Sequence, residues 1–346
     1  MNLQDFINAN QISLYIEKLP IQSTIDKTLF PPKKQLGTEI ELAKGSMKKP
    51  VALKMSAFDT AVKSRALSAS LNIEKKEMPF FKESVLIKEK ERQFLLLAIQ
   101  SNNQNLVEQL TSQIYDNYKS LVDGAEVQMI RMRAQALQTG KINISTDDGD
   151  IVVDYNVPSQ HKETLTGTAT WDNEDADIVG DLIRWSKVLT NNGYGTPTRI
   201  LLTDTVLGYI KKNKAINGEL VARNPNLLTI ITDNDIINYL NGKLDLSVGI
   251  LNGNYIDESG AIQNYYQDDL VTLIPEGALG STVYGTTPEE ADRLYGTGKL
   301  DTSIVNTGVA ITTMLKEDPV TVETKVSELG IPSFDRVDEC FFATVK

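Results

Sequence analysis

His161 and Cys340 are the single histidine and the single cysteine in this chain of 346 residues, and they are the first places to look for chemistry. One of each excludes a Cys/His zinc site or a disulfide within one chain. His161 lies in a polar, hydroxyl-rich stretch, SQHKETLTGTATW, with no serine or cysteine nucleophile motif beside it. A catalytic dyad would need partners the sequence does not supply, so an exposed, inert histidine is expected. Cys340 stands beside Phe341 and Phe342 in an alternating segment, where a free cysteine is expected to act as a small buried hydrophobe.

Carboxylates are the next candidates. Asp204 and Asp233 begin two predicted helices and are the groups an acid–base enzyme would use. The acidic runs 147–150 and 233–235 lack the Gly-then-Glu framework of a calcium loop, so a hairpin turn and a helix cap are the simpler readings. The sequence YGTGKL at 295–300 ends in Gly-Lys, but no glycine lies five residues before Gly298 and Leu300 replaces the magnesium-binding Ser or Thr. Asn143 begins an Asn-Ile-Ser triplet that matches a glycosylation acceptor by spacing alone, with no secretory signal to support it. Met129 and Met132 fit core or interface packing better than a cofactor box. No catalytic, cofactor-binding or metal residue is assigned, and the chain reads as a non-enzyme that works by assembly.

The elements that would position these residues are organised around 105–139. Apolar side chains at Val107, Leu110, Ile114, Tyr118 and Leu121, then Val127, Ile130, Ala134 and Leu137, gather on one face of an α-helix. An unbroken helix of this length spans roughly 50 Å. Asp123-Gly124 predicts a kink or a restart, and Gly140 a C-terminal cap. Residues 1–32 read as an arm more than a core, with Pro31-Pro32 imposing an extended exit. Residues 33–88 alternate as antiparallel hairpin structure, including segments from Val51 and Ser68, with few large apolar residues. Such a hairpin is marginal alone and should lie on this protein or reach onto another copy.

A hairpin is predicted over 141–155. Beyond it comes a mixed α+β region: a helix over 175–191 with Ile178, Leu182, Trp185 and Leu189 on one face, a strand at 198–203, and helices from Asp204 and Asp233. Strands are also expected at 227–232, from Ser247 and from Asp269. The last third returns to strand from Thr307, Val320 and Asp338, with the 141–155 hairpin as the expected pairing partner.

Composition sets limits. The chain is 41% hydrophobic, ample for real cores in about two domains. A net charge of −11 is not that of a surface that grips DNA. No run of about 18 apolar residues suggests a membrane span, and one cysteine fits cytosolic chemistry.

The order of parts resembles a family: an extended arm, a long polar hairpin, PFFKESVLI leading into helix, a long helix ending AQALQTGKINI, then DIVVDY and a C-terminal KEDP followed by TVETKVSELGIP. It is similar to the major capsid proteins of tailed bacteriophages, specifically the lambda capsid protein E-like family with the Hong Kong 97-like fold. The resemblance implies an α+β fold: an N-terminal arm over 1–32, an E-loop region over 33–88, the spine helix and first P-domain strands over 89–159, an A-domain over 160–300, and returning P-domain strands over 301–346. It implies hexamers and pentamers closing an icosahedral shell around double-stranded DNA that is enclosed without tight binding. Its implied partners are further copies of the chain, a separate scaffolding protein, a portal and, optionally, a decoration protein. Its implied location is the virion, assembled in the host cytoplasm. The competing readings are a cytosolic α+β enzyme built on Asp204 and Asp233 and an encapsulin-like compartment, the latter separated by the presence of a cargo enzyme.

Overall fold

The computed structural model describes residues 7–18, 24–43, 73–101, 104–146, 149–223 and 231–346. Its longest element is the helix Gln104–Thr139, 36 residues without a break. The expected restart at Asp123-Gly124 does not occur. A single glycine costs a helix about 1 kcal/mol, less than the burial of Tyr118, Val122, Ala125 and Met129 around it supplies. Asp123 caps no second helix and pairs instead with Lys119 one turn earlier. Of the expected stripe, Val107, Tyr118, Ala134 and Leu137 are buried, while in the middle Leu121 and Ile130 are half-buried and their neighbours Val122 and Met129 are buried instead.

Gly140 ends this helix as expected. Its φ is +67°, and its N–H donates to the Ala136 carbonyl at 2.9 Å. A Cβ at Gly140 would stand 2.2 Å from Val157 Cγ2, so any larger residue must displace the Val157 side chain.

The chain divides into two compact units, and the long helix contributes to each, changing over between Arg133 and Ala134. The first unit comprises 1–40, 75–133 and 281–333. Its sheet is built on the 14-residue strand Val320–Ser333, which pairs antiparallel with Phe80–Ile87, Val309–Glu317 and Ser281–Tyr284. Asp301–Val305 extends one edge, and Pro32–Lys34 adds in parallel to Ser281–Tyr284. Successive side chains of a strand alternate between faces, which sends Val322, Thr324, Val326 and Glu328 to one side. There Val322 and Val326 pack with Ile87, Val305, Val309 and Ile311 against Tyr118 and Val122 of the long helix.

Within the expected arm, residues 7–17 belong to the core. Asn8 caps the helix Ala9–Glu17 by accepting from Gln11 N–H, and Ile7, Ala9, Ile12 and Ile16 are buried in the same apolar cluster. Ala9 N–H donates to Asp301 at 2.9 Å, and Ser303 reaches Ser13 at 2.9 Å. Pro31-Pro32 ends the short helix Ile25–Leu29 and starts an extended strand, as expected.

The second unit comprises 41–74, 134–280 and 334–346. Its sheet runs Lys162–Thr164, Phe341–Thr344, Leu270–Ile274, Arg199–Leu202, Ser247–Ile250, with parallel pairs at both edges and antiparallel pairs between. Helix Ile178–Asn191 buries Ile178, Leu182, Trp185 and Leu189 as predicted. Trp185 stacks between Trp171 and Phe341 at 5.6 and 5.4 Å. Helix Asp233–Leu244 starts with a capping box between Thr232 and Asp235.

The hairpin of Lys141–Thr146 with Gly149–Asp154 forms, but as a sheet of its own. The returning strands therefore pair elsewhere: Val309–Glu317 and Val320–Ser333 in the first unit, Phe341–Thr344 in the second. The hairpin's two strands are already paired to each other. Of the alternating region, Glu39–Ala43 pairs with Ile73–Glu77, while the segment from Val51 and most of that from Ser68 lie outside the described residues. So do the turn at 147–148 and all but the last two residues of the strand expected at 227–232.

Candidate functional site

The densest polar chemistry in the first unit is inside it. Arg133 projects from the long helix with no exposed surface. Its Nε donates to Asp26 at 2.6 Å, another guanidinium nitrogen donates to Glu126, and a third to Thr282 Oγ1 at 3.4 Å. Lys27 closes on Glu126 at 3.1 Å. Burial by itself disfavours the guanidinium charge, but the carboxylates of Glu126 and Asp26 outweigh it and hold Arg133 protonated.

Glu328 enters the same interior from Val320–Ser333 with 1% of its surface exposed, and its Oε2 finds no hydrogen-bond partner among the described residues. Burial, then the like charge of Glu126, pushes its carboxyl up to about 8, against the opposing pull of Arg133, Lys27 and Lys34. At neutral pH Glu328 is therefore mostly protonated, and Arg133, Lys27, Asp26 and Glu126 balance in charge without it. A buried, fully partnered ion cluster contributes little net stability, but removing one member leaves an unpaired buried charge. What this arrangement does is fix position: it ties the long helix to Ile25–Leu29 and, through Thr282, to the sheet.

A second fastening holds the helix Pro288–Tyr295 on the other face of that sheet. Glu289 accepts from Lys325 and from Ser327 at 2.7 Å, and Glu290 from Lys34 at 2.5 Å. Burial tends to raise the Glu289 carboxyl, yet the bonds from Lys325 and Ser327 prevail and hold it below its ordinary value.

The family Phage major capsid protein E matches residues 8–345. The chain belongs to that family. It is a major capsid protein, and the architecture is the Hong Kong 97-like capsid fold. Among solved structures it is similar to a putative capsid protein of a prophage of E. coli CFT073, at 13% identity and a TM-score of 0.62, over 98% of this chain and 99% of that one. It is also similar to a phage-related protein from Bordetella bronchiseptica RB50, at 11% identity and a TM-score of 0.53, over 98% and 97%. No curated protein matches it by sequence.

In this capsid protein the residues singled out for chemistry do not converge. Asp204 opens the helix Asp204–Lys212, and Asp233 pairs at 2.8 Å with Lys211 in that helix's last turn. At 1.5 Å per residue Asp204 and Lys211, the residue that Asp233 pairs with, are roughly 10 Å apart along the helix axis. His161 is not exposed but fully buried in the turn Ser159–His161, with Nε2 2.8 Å from Asn192 Nδ2 and its ring edge-on to Tyr194. Its polar stretch supplies the strand Lys162–Thr164, and pairing that strand in parallel with Phe341–Thr344 draws the histidine inside. Burial lowers its pKa, favouring the neutral ring.

Cys340 is buried, and burial raises its thiol far above the ordinary range. Met129 and Met132 are buried, Met129 against the backbone of Val320–Ser333 near Gly330. Asn143 and Asp150 lie in the 141–154 hairpin, and 295–300 forms the end of one helix and the loop after it. Among the described residues no three His, Cys, Asp or Glu side chains cluster as metal ligands, and no helix is long and apolar enough to cross a membrane.

Arg133, Asp26, Glu289 and Glu328 were not anticipated from sequence. For Glu328 a signal exists, because Val322, Val326 and Glu328 share one phase of the period-two alternation.

Proposed function

We propose that this major capsid protein assembles from hexamers and pentamers into an icosahedral shell around packaged double-stranded DNA. The observation that carries this is the family match over 8–345. The parts are assigned on that reading. The unit containing 281–333 serves as P-domain, with Gln104–Thr139 as its spine, and the unit of 134–280 with 334–346 serves as A-domain. Residues 1–32 are the N-terminal arm, although 9–17 pack into the core, and within 33–88 the E-loop reaches onto a neighbouring copy from Pro32–Lys34 and Phe80–Ile87, which stay in this copy's sheet.

Heterologous contacts of that kind, repeated around closed symmetry, generate shells. A net charge of −11 suits a container whose DNA must be enclosed without being gripped. Assembly takes place in the host cytoplasm with a separate scaffolding protein, around a portal, and the shell ends in the virion. The chain supplies interfaces and no catalytic site.

Electron microscopy of the purified chain, alone and with its scaffolding protein, tests this. Uniform hollow shells or rings of five and six are expected. A persistent monomer or dimer with scaffold present would overturn the reading.

A further inference from the structure

Asn254–Ile256 and Ile262–Asn264 form a two-stranded sheet that pairs with no other strand among those described. Its register sets Ile256 directly opposite Ile262, and these side chains are 69% and 73% exposed. The base is anchored by Tyr266, which is buried, and by the stack of Tyr255 on Tyr265 at 4.8 Å. The tip is tied by Asp257, whose carboxylate accepts from Ser259 N–H, Ala261 N–H and Gln263 Nε2 at 2.9, 2.9 and 3.0 Å. A two-stranded hairpin that buries neither face is marginal by itself. Here a preorganised hairpin holds a matched pair of apolar side chains in water, and preorganisation lowers the cost of docking.

Charge says what covers it. From Leu244 to Gly280, in the hairpin's own unit, the chain has six Asp and Glu and no Lys or Arg, whereas 75–92 has six Lys and Arg against four Asp and Glu. Two copies of the hairpin face to face would set like charge against like. The acidic stretch of one copy and the basic stretch of another are complementary, a relation that favours encounter and register. Within the basic stretch and just beyond it, exposed apolar side chains stand among cations: Phe80 beneath Lys82, with the ammonium 5.8 Å from the ring, and Phe94 and Leu97 on the helix that also carries Lys90 and Arg92.

We propose that the Ile256–Ile262 face of one copy docks on the 75–97 stretch of a second copy in the shell. The proposal rests on the shell reading above and names one of its interfaces.

The test places a photocrosslinker in the full chain as Ile262→p-benzoylphenylalanine, irradiates assembled particles, and maps the products by mass spectrometry. Crosslinks from residue 262 of one chain to 75–97 of another are expected. In parallel, Ile256→Thr with Ile262→Thr, which keeps strand propensity while removing the apolar pair, should leave the melting temperature of the free subunit unchanged and cut particle yield at least tenfold. Particles without the intermolecular crosslink, crosslinks elsewhere on the second copy, its own hairpin included, or full particle yield from the double variant would overturn the docking. Failure of the unsubstituted chain to assemble with scaffold would instead overturn the shell reading, and the docking with it.

Discussion

Replacing Glu328 by glutamine should remove a pH dependence that the wild-type subunit carries. The group ionises near the ordinary 4.5 in the unfolded chain and near 8 in the folded one. Between those values the folded state holds a proton that the unfolded state has released, so stability falls as pH rises, by up to about 1.4 kcal/mol per pH unit. This is the sign of a carboxyl whose pKa is raised by folding: full stability below about pH 4.5, progressive loss through the window, and a constant deficit above about pH 8. The accumulated cost is under about 1 kcal/mol at pH 5 and about 3 kcal/mol at pH 7.

Glutamine is nearly the same size and neutral throughout, so the difference in unfolding free energy between variant and wild type should grow by about 2 kcal/mol from pH 5 to pH 7 in favour of the variant. Any packing or hydrogen-bond loss shifts this difference by a constant and leaves its slope intact. Urea unfolding of the unassembled subunit, followed by far-ultraviolet circular dichroism at several pH values, measures it. Tryptophan fluorescence would mislead, since Trp171 and Trp185 both lie in the other unit. A difference that stays flat between pH 5 and 8 would refute the buried, proton-bearing Glu328.

Arg133→Leu should destabilise the first unit by about 3–5 kcal/mol, because Asp26 is left buried without its partner. Adding Asp26→Asn should restore part of that loss in a double-mutant cycle measured by denaturant unfolding. Gly140→Ala forces a side chain into a φ of +67° and against Val157, and should lower stability by about 1–3 kcal/mol. Val157→Ala should recover the steric part, read as a melting temperature. Deleting residues 48–76 should leave a soluble chain whose A-domain, 134–280 with 334–346, is folded but which forms no shells by electron microscopy, and wild-type-like shells from that deletion would refute the E-loop assignment.

What could be read from the sequence was local. The stripe Ile178, Leu182, Trp185, Leu189, the cap at Gly140 and the 141–154 hairpin depend on periodicity and turn chemistry within a few residues, and each forms as expected. The order of such pieces was enough for the family and its fold. The misses share a different cause. Ile12 and Ile16 look like a short amphipathic arm until strands from Asp301 onward arrive to cover them. Arg133 looks solvated because charge usually is, and the partner that completes its burial beside Glu126 is Asp26, more than a hundred residues earlier. His161 is drawn inside by a strand near the other end of the chain. In each case the deciding partner is distant in sequence, and no window around the residue contains it.

That distance also bears on how such a subunit is made. Val320–Ser333 lies between Phe80–Ile87 and Val309–Glu317 in one unit, and Phe341–Thr344 lies between Lys162–Thr164 and Leu270–Ile274 in the other. The last 27 residues thus supply an internal strand to both sheets. Neither sheet can close before these two strands have been made, and pairings that span most of a chain are slow to form because loop-closure entropy must be met first. Until then strand edges are open, and an open edge is a template for pairing with another chain. For a protein whose partners are copies of itself, the order has a physical benefit. A chain that lacks these strands lacks the sheets that hold the spine and the 254–264 hairpin in place, so it cannot present a finished contact surface to other copies.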